Sequence, residues 1–334
     1  MQNSLFWVNS GNNVVTNKKA FSELYDYTNL RYNINPAFEN IDWTKEPTKT
    51  LKQLYKERAE QLRTDYDYLI VYFSGGSDSI TVVNSFLDND IPIDEIVINS
   101  FTQVDKDVLN CDYAKRYLKL RSFRGKITIN NLDLDKINTI IDKQLWFYDE
   151  YNFSGLLPSL SRRKICFFEQ NNLLSYTKRI GKVAHIFGAE FPDITCREGS
   201  FYCNIKYSSF VNNFGYHEAS IFFFIPIEHP AVFVKQCHVL ARYMHKTGLS
   251  KESDCKISIR DEFNPAMSSV KTGGRSKNQF LAGTESRMIL ETYISDSKFK
   301  DLYKNALYNE LLKPQVNKVV LLNGYKSFKL FDVD

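Results

Sequence analysis

Residues 74–79 read Ser-Gly-Gly-Ser-Asp-Ser, which brings three hydroxyls, a carboxylate and two side-chain-free positions into one short stretch. Hydroxyls and free backbone N–H groups donate to anions, glycines let a backbone approach a ligand closely, and a carboxylate can hold a hard cation. The flanking residues must position that set. Residues 67–73 (DYLIVYF) are mostly apolar, as a strand buried on both faces requires. Ile80, Val83, Phe86 and Leu87 then recur at helical spacing, with Ser77 or Asp78 available as the helix cap. A strand, a glycine turn and a helix start in that order expose the first N–H groups of the helix, and these favour an anion. The chemistry indicated is phosphate binding, with Ser74, Ser77 and Ser79 as additional donors.

Two other phosphate signatures are missing, since the chain holds neither GxxxxGK followed by Ser or Thr nor GxGxxG. The form SGGxDS at the end of the first parallel strand instead resembles the PP-loop of the ATP pyrophosphatases. That superfamily includes asparagine synthetase, GMP synthetase, NAD synthetase and the tRNA-modifying ligases and thiolases. The resemblance implies a Rossmann-like adenine nucleotide alpha hydrolase fold, with ATP cleaved between its α and β phosphates. It gives Ser74, Gly75, Gly76, Ser77, Asp78 and Ser79 to pyrophosphate, makes Asp78 and Ser79 catalytic, and lays adenine over Asn99, Ser100 and Phe101.

The same resemblance extends downstream. Residues 188–193 (GAEFPD) look like a degenerate copy of the later strand end at which such ligases hold magnesium pyrophosphate. Gly188 is then a nucleotide contact, and Glu190 and Asp193 join Asp78 as Mg²⁺ ligands, against a bland reading as a strand end broken by proline. Pro230, Lys235, Leu240, Ala241 and Gly248 match a proline-led turn, lysine and helix of the amide-forming members. Lys235 is thereby a catalytic phosphate contact, or else a solvated lysine of an amphipathic helix. Residues 268–278 (SSVKTGGRSKN) form a basic Gly/Ser loop. As a lid it would bring Lys271, Arg275 or Lys277 to the polyphosphate; as a plain linker it is merely solvated.

Strands over 94–100, 126–134 and 183–188 alternate with helical stretches over 109–120 and 132–146, which predicts an α/β, doubly wound parallel sheet. Ligands of such sheets lie outside the carboxyl ends of the strands. Upstream, residues 4–15 read as two short strands. Thr50 with Gln53 forms a capping box for a helix carried by Leu51, Leu54, Tyr55, Ala59 and Leu62. Helices are expected over 285–294 and 298–312, then a hairpin over 319–331 about Asn323-Gly324. The expected organisation is an N-terminal extension over 1–65, a nucleotide domain over 66–200, and a mostly helical substrate and lid region over 201–334 that continues the same domain.

With 334 residues, 43% hydrophobic and 25% charged, the chain is globular in composition rather than disordered. A net charge of +4, from 43 basic against 39 acidic residues, is too balanced for bulk nucleic-acid binding. The longest apolar stretch, 219–227, contains Pro226 and is about half of the ~18 residues a membrane span needs. No signal-peptide core follows Met1, so a cytoplasmic protein without a membrane partner is expected.

Six cysteines form no CxxC pair and five histidines no HExxH, so no structural zinc is assigned. That pattern departs from the iron–sulfur thiolases and the zinc-bearing nitrile synthases of the superfamily. With Cys111 the first cysteine, a glutaminase domain is not expected either. The expected function is ATP-dependent adenylation of a substrate carbonyl oxygen, followed by displacement of AMP by ammonia or an amine. The alternatives are nucleobase modification of RNA or DNA, including sulfur transfer, and an adenine-nucleotide-binding protein without turnover. The partners implied are ATP, a small molecule or nucleobase, a separate ammonia- or sulfur-donor protein, and a second copy in a homodimer.

Overall fold

The apolar run before the glycines becomes the central strand of a five-stranded parallel sheet. The computed structural model describes residues 6–10, 13–15, 30–75, 77–101, 105–132, 181–188, 192–206, 220–248 and 325–333. In chain order these carry β1 (Phe6–Ser10), β2 (Asn13–Val15), β3 (Leu30–Ile34), α1 (Pro36–Glu39), α2 (Leu51–Asp65), β4 (Tyr68–Tyr72), α3 (Ser77–Leu87) and β5 (Glu95–Phe101). There follow α4 (Asp105–Leu120), β6 (Lys126–Leu132), β7 (Val183–Phe187), β8 (Asp193–Arg197), β9 (Ser200–Lys206), β10 (Ser220–Phe222), α5 (Ala231–Thr247) and β11 (Tyr325–Asp332).

The parallel sheet runs β10-β7-β4-β5-β6, so from β6 its strands read 3-2-1-4-5 in order of appearance, the Rossmann order. The chain steps outward from β4 through β5 to β6 and then returns to the other flank of β4. Its direction reverses between β4 and β7. Right-handed crossovers place α3 and α4 on one face of the sheet. There Leu69, Val71, Phe73, Ile96, Ile98, Ala184 and Ile186 join Leu54, Val83, Phe86, Leu118, Phe233 and Leu240 in one buried core. Burying each such side chain is worth about 1.5–3 kcal/mol.

The period of two sends Ile70, Tyr72, Val97 and Val183 to the opposite face, where they form a smaller cluster with Tyr68 and Phe187. Two buried polar groups sit on that face, and each has partners. Glu95 accepts from Tyr68 Oη (3.0 Å), Lys126 Nζ (3.2 Å) and Thr128 Oγ1 (2.5 Å), while His185 Nδ1 lies 3.2 Å from Tyr72 Oη. Such partners offset the cost of taking polar groups out of water.

The capping box forms, with Gln53 N donating to Thr50 Oγ1 (3.2 Å) and Thr50 N to Gln53 Oε1 (2.9 Å). The apolar face of α2 is buried as the spacing predicts, and Arg58 is buried with it, paired to Glu228 at 3.2 Å. Phe38 and Trp43 belong to the core that also holds β4 and α3, and the Trp43 and Phe328 rings stack at 4.4 Å. Residues 34–65 therefore share a core with the parallel sheet.

From residue 200 onward the described residues carry three strands and one helix, and most of the region expected to be helical lies outside the described residues. β8, β9 and β11 form an antiparallel sheet in the order β11-β9-β8. Glu198 (φ 50°) and Gly199 (φ 70°) make the two-residue turn between β8 and β9. Both central residues at positive φ define a type I′ turn, for which Glu-Gly is a weaker signal than Asn-Gly. β11 pairs with β9, while residues 319–322 of the expected hairpin, residues 133–146 of the helix expected from 132, and the helices expected over 285–294 and 298–312 lie outside the described residues; Leu132 itself ends β6. Among the described residues no helix is long and apolar enough to cross a membrane.

Candidate functional site

The glycine turn follows β4 at the carboxyl edge of the sheet, beside the reversal of strand order that leaves a crevice in open α/β sheets. Tyr72 is level with Phe187 of β7 and Val97 of β5, and Phe73 N still donates to Val97 O at 2.8 Å. β5 then continues through Ile98, Asn99, Ser100 and Phe101, paired with β6 to its end. At ~3.3 Å per residue it extends roughly 13 Å beyond the level of Tyr72. The structure thus brings the backbone of Asn99, Ser100 and Phe101 along one side of the turn.

Gly75 has φ 68°, and a Cβ there would lie 3.2 Å from Tyr113 Cδ1 and 3.6 Å from Ala114 Cβ. The turn therefore rests directly on α4. Gly76 lies outside the described residues. Ser77 is already the first helical residue, so neither Ser77 nor Asp78 is the cap and Asp78 falls in the first turn of α3. The partial positive charge of a helix start favours a carboxylate there. Ser74 is exposed and Ser79 buried, with their hydroxyl oxygens 3.2 Å apart across the turn.

Contacts that the spacing did not reveal tie together the helices around this turn. Tyr55 of α2 is buried, and its hydroxyl accepts from Gln236 Nε2 of α5 at 3.3 Å. Burial pushes the Tyr55 phenol up, and the nearby Asp78 carboxylate adds to the rise, so the hydroxyl keeps its proton. Tyr117 Oη donates to Asn84 Oδ1 at 2.5 Å and ties α4 to α3. Tyr55 stood out only as a member of a helical stripe and Tyr117 was not singled out, because no local pattern says which distant element a helix will meet.

Gly188 follows β7 and faces the same helix start. A Cβ on it would lie 2.9 Å from Val82 Cγ2 and 3.0 Å from both the carbonyl carbon and oxygen of Asp78. The chain leaves the parallel sheet after Gly188, and Asp193 opens β8 of the antiparallel sheet, level with Asn204 of β9. Glu190, Lys271 and Arg275 lie outside the described residues. Among the described residues no three His, Cys, Asp or Glu side chains gather as a metal group.

Lys235, expected at a phosphate, has its Nζ 2.5 Å from Glu46 Oε1 and 2.9 Å from Pro47 O. Arg242 pairs with the same Glu46. Burial pushes the Lys235 ammonium down from its ordinary value. Its observed partners belong to the stretch before α2 rather than to the turn, which makes it a tether between that stretch and α5.

No family model and no curated protein matches the chain. Solved structures do match. The chain is similar to an NMN synthetase and to an NAD⁺ synthetase. The NMN synthetase from Francisella tularensis aligns at 10% identity and a TM-score of 0.34, over 72% of this chain and 96% of that one. The glutamine-dependent NAD⁺ synthetase from Acinetobacter baumannii, in complex with adenosine diphosphate, aligns at 12% identity and a TM-score of 0.33 over 87% of this chain. This chain spans 46% of its length. Likeness this loose adds nothing about the reaction, and the fold class rests on the strand order.

Proposed function

We propose that the chain is an ATP pyrophosphatase-type ligase that adenylates a substrate carbonyl oxygen and then exchanges AMP for ammonia or an amine. The observation that carries this reading is the position of residues 74–79: a turn at positive φ, a helix start and an acidic first turn, at the carboxyl edge where the strand order reverses. In the first step the substrate oxygen attacks the α-phosphorus, the bond from that phosphorus to the bridging oxygen breaks, and pyrophosphate leaves. In the second, the amine nitrogen attacks the adenylated carbon, AMP departs with the bonding electrons, and the amine proton passes to solvent.

Chemistry of this kind needs in-line positioning and charge neutralisation more than a protein nucleophile. The N–H groups opening α3 and the exposed Ser74 hydroxyl would receive the pyrophosphate. Adenine would lie along the projecting end of β5 at Asn99, Ser100 and Phe101. Asp78 suits Mg²⁺, a hard cation that takes one or two carboxylates together with phosphate oxygens, with Glu190 as the second candidate. Such an ion neutralises charge on the leaving pyrophosphate. Lys271 and Arg275 would do the same from the basic segment.

Exchange of labelled pyrophosphate into ATP tests the first step even while the substrate is unidentified. The full chain is supplied with ATP, Mg²⁺, labelled pyrophosphate and fractions of a small-metabolite extract. Label is expected to enter ATP with one fraction only, and to stay out of it with the Asp78→Ala variant. Label that stays in pyrophosphate with every fraction, while ATP is turned to ADP, contradicts the reading.

A further inference from the structure

We infer that Gly188 is a positioning residue: its missing side chain lets the first turn of α3 lie directly on the end of β7, which fixes the turn at 74–79 in place. The inference rests on reading that turn as the phosphate site, and it replaces a ligand contact with a steric one. Gly188 is not among the glycines at positive φ, so backbone freedom is not what the position requires. Space is. Two of the three atoms a Cβ would meet, at 3.0 Å, are backbone atoms of Asp78 and cannot rotate away. The third, Val82 Cγ2 at 2.9 Å, belongs to a fully buried β-branched side chain, which is stiff at χ1 in a helix.

A side chain at 188 must therefore displace α3, and the structure indicates where the displacement goes. Further along α3, Val83 and Phe86 are fully buried in the core and Asn84 is bonded to Tyr117. On the far side of the turn, Gly75 is already against Tyr113 and Ala114. The turn is thus held between two close approaches, one at each glycine. The end of α3 left to move is its first turn, which carries Asp78 and the N–H groups. A displacement of ~1 Å at a reacting group can cost on the order of 100-fold in rate, and the few tenths of an ångström that these contacts demand cost correspondingly less, roughly severalfold.

The test compares the full chain with Gly188→Ala, Val82→Ala and the double variant, by hydrogen exchange without nucleotide and by kcat/KM for pyrophosphate release. In Gly188→Ala, exchange is expected to quicken in the peptide covering 74–82 and to stay unchanged in those covering 95–101 and 183–187. The melting temperature stays close to wild type while kcat/KM falls roughly 2–10-fold. The double variant returns the space taken by Val82 but leaves the Asp78 carbonyl opposite the new methyl, so the loss should persist. Recovery in the double variant, exchange that quickens uniformly, or no change in Gly188→Ala would each overturn the inference. Should Gly188→Ala not fold, the double variant compared with Val82→Ala decides in the same way. Wild type that releases no pyrophosphate would sink the proposed function, and the exchange pattern alone would then decide the role of Gly188.

Discussion

A carboxylate at the start of a helix competes with any polyphosphate arriving there, because like charges a few ångströms apart repel unless a cation separates them. Asp78 is that carboxylate, and its place in the first turn of α3 is the residue-scale reason for expecting Mg²⁺ with the nucleotide. The turn was legible in the sequence because each part of its argument is local: an apolar strand, two glycines and a helical stripe lie within about twenty positions. Lys235 was not legible. Its partner Glu46 is 189 residues away, and no spacing rule spans such a distance. Replacing Lys235 with Met is expected to cost stability, about 1.5–3 kcal/mol for a hydrogen bond to a charged group, and less if Arg242 keeps Glu46 paired. Pyrophosphate release should persist. A variant that melts like wild type yet loses release would return Lys235 to the polyphosphate.

At the scale of elements, β4 to β7 were legible because apolar runs alternate with helical stripes at the spacing of βαβ units. The β8–β9 hairpin was not, since Glu198-Gly199 lacks the usual turn dipeptide, and β10 was too short to stand out from the apolar stretch around it. The role of α5 also emerges only from packing. It joins the parallel sheet to the β11-β9-β8 sheet, with His238 buried, its Nε2 2.8 Å from Trp43 O and its ring stacked on Phe331 at 5.9 Å. Burial lowers the His238 pKa from its ordinary value of 6.5. The unfolded chain then binds a proton near pH 6.5 that the folded chain takes up only at lower pH. Stability is therefore fully present above about 6.5 and is lost as pH falls from there toward the depressed folded value. Melting temperatures measured between pH 7.5 and 5 should show this decline, and His238→Gln, which keeps an N–H donor without titrating, should flatten it. An identical decline in the variant would assign the acid sensitivity elsewhere.

Among the described residues the strand order of the parallel sheet reverses beside β4, and α2, α3, α4 and α5 pack into the core on one face of that sheet. Fold class was legible from the order of elements. Domain organisation was less so, because whether residues 34–65 form a unit or share a core depends on Phe38, Trp43 and Leu54 meeting Phe233, Phe223 and β4. ATP is proposed to lie at the carboxyl edge beside this reversal, for cleavage between its α and β phosphates. This placement is tested most directly by incubating the full chain with α-labelled ATP, Mg²⁺, ammonium and a small-metabolite extract, and resolving the labelled products. Label in AMP or an adenylated compound, with equimolar pyrophosphate and neither formed by Asp78→Asn, is the predicted result. Label in ADP with release of orthophosphate would contradict the account.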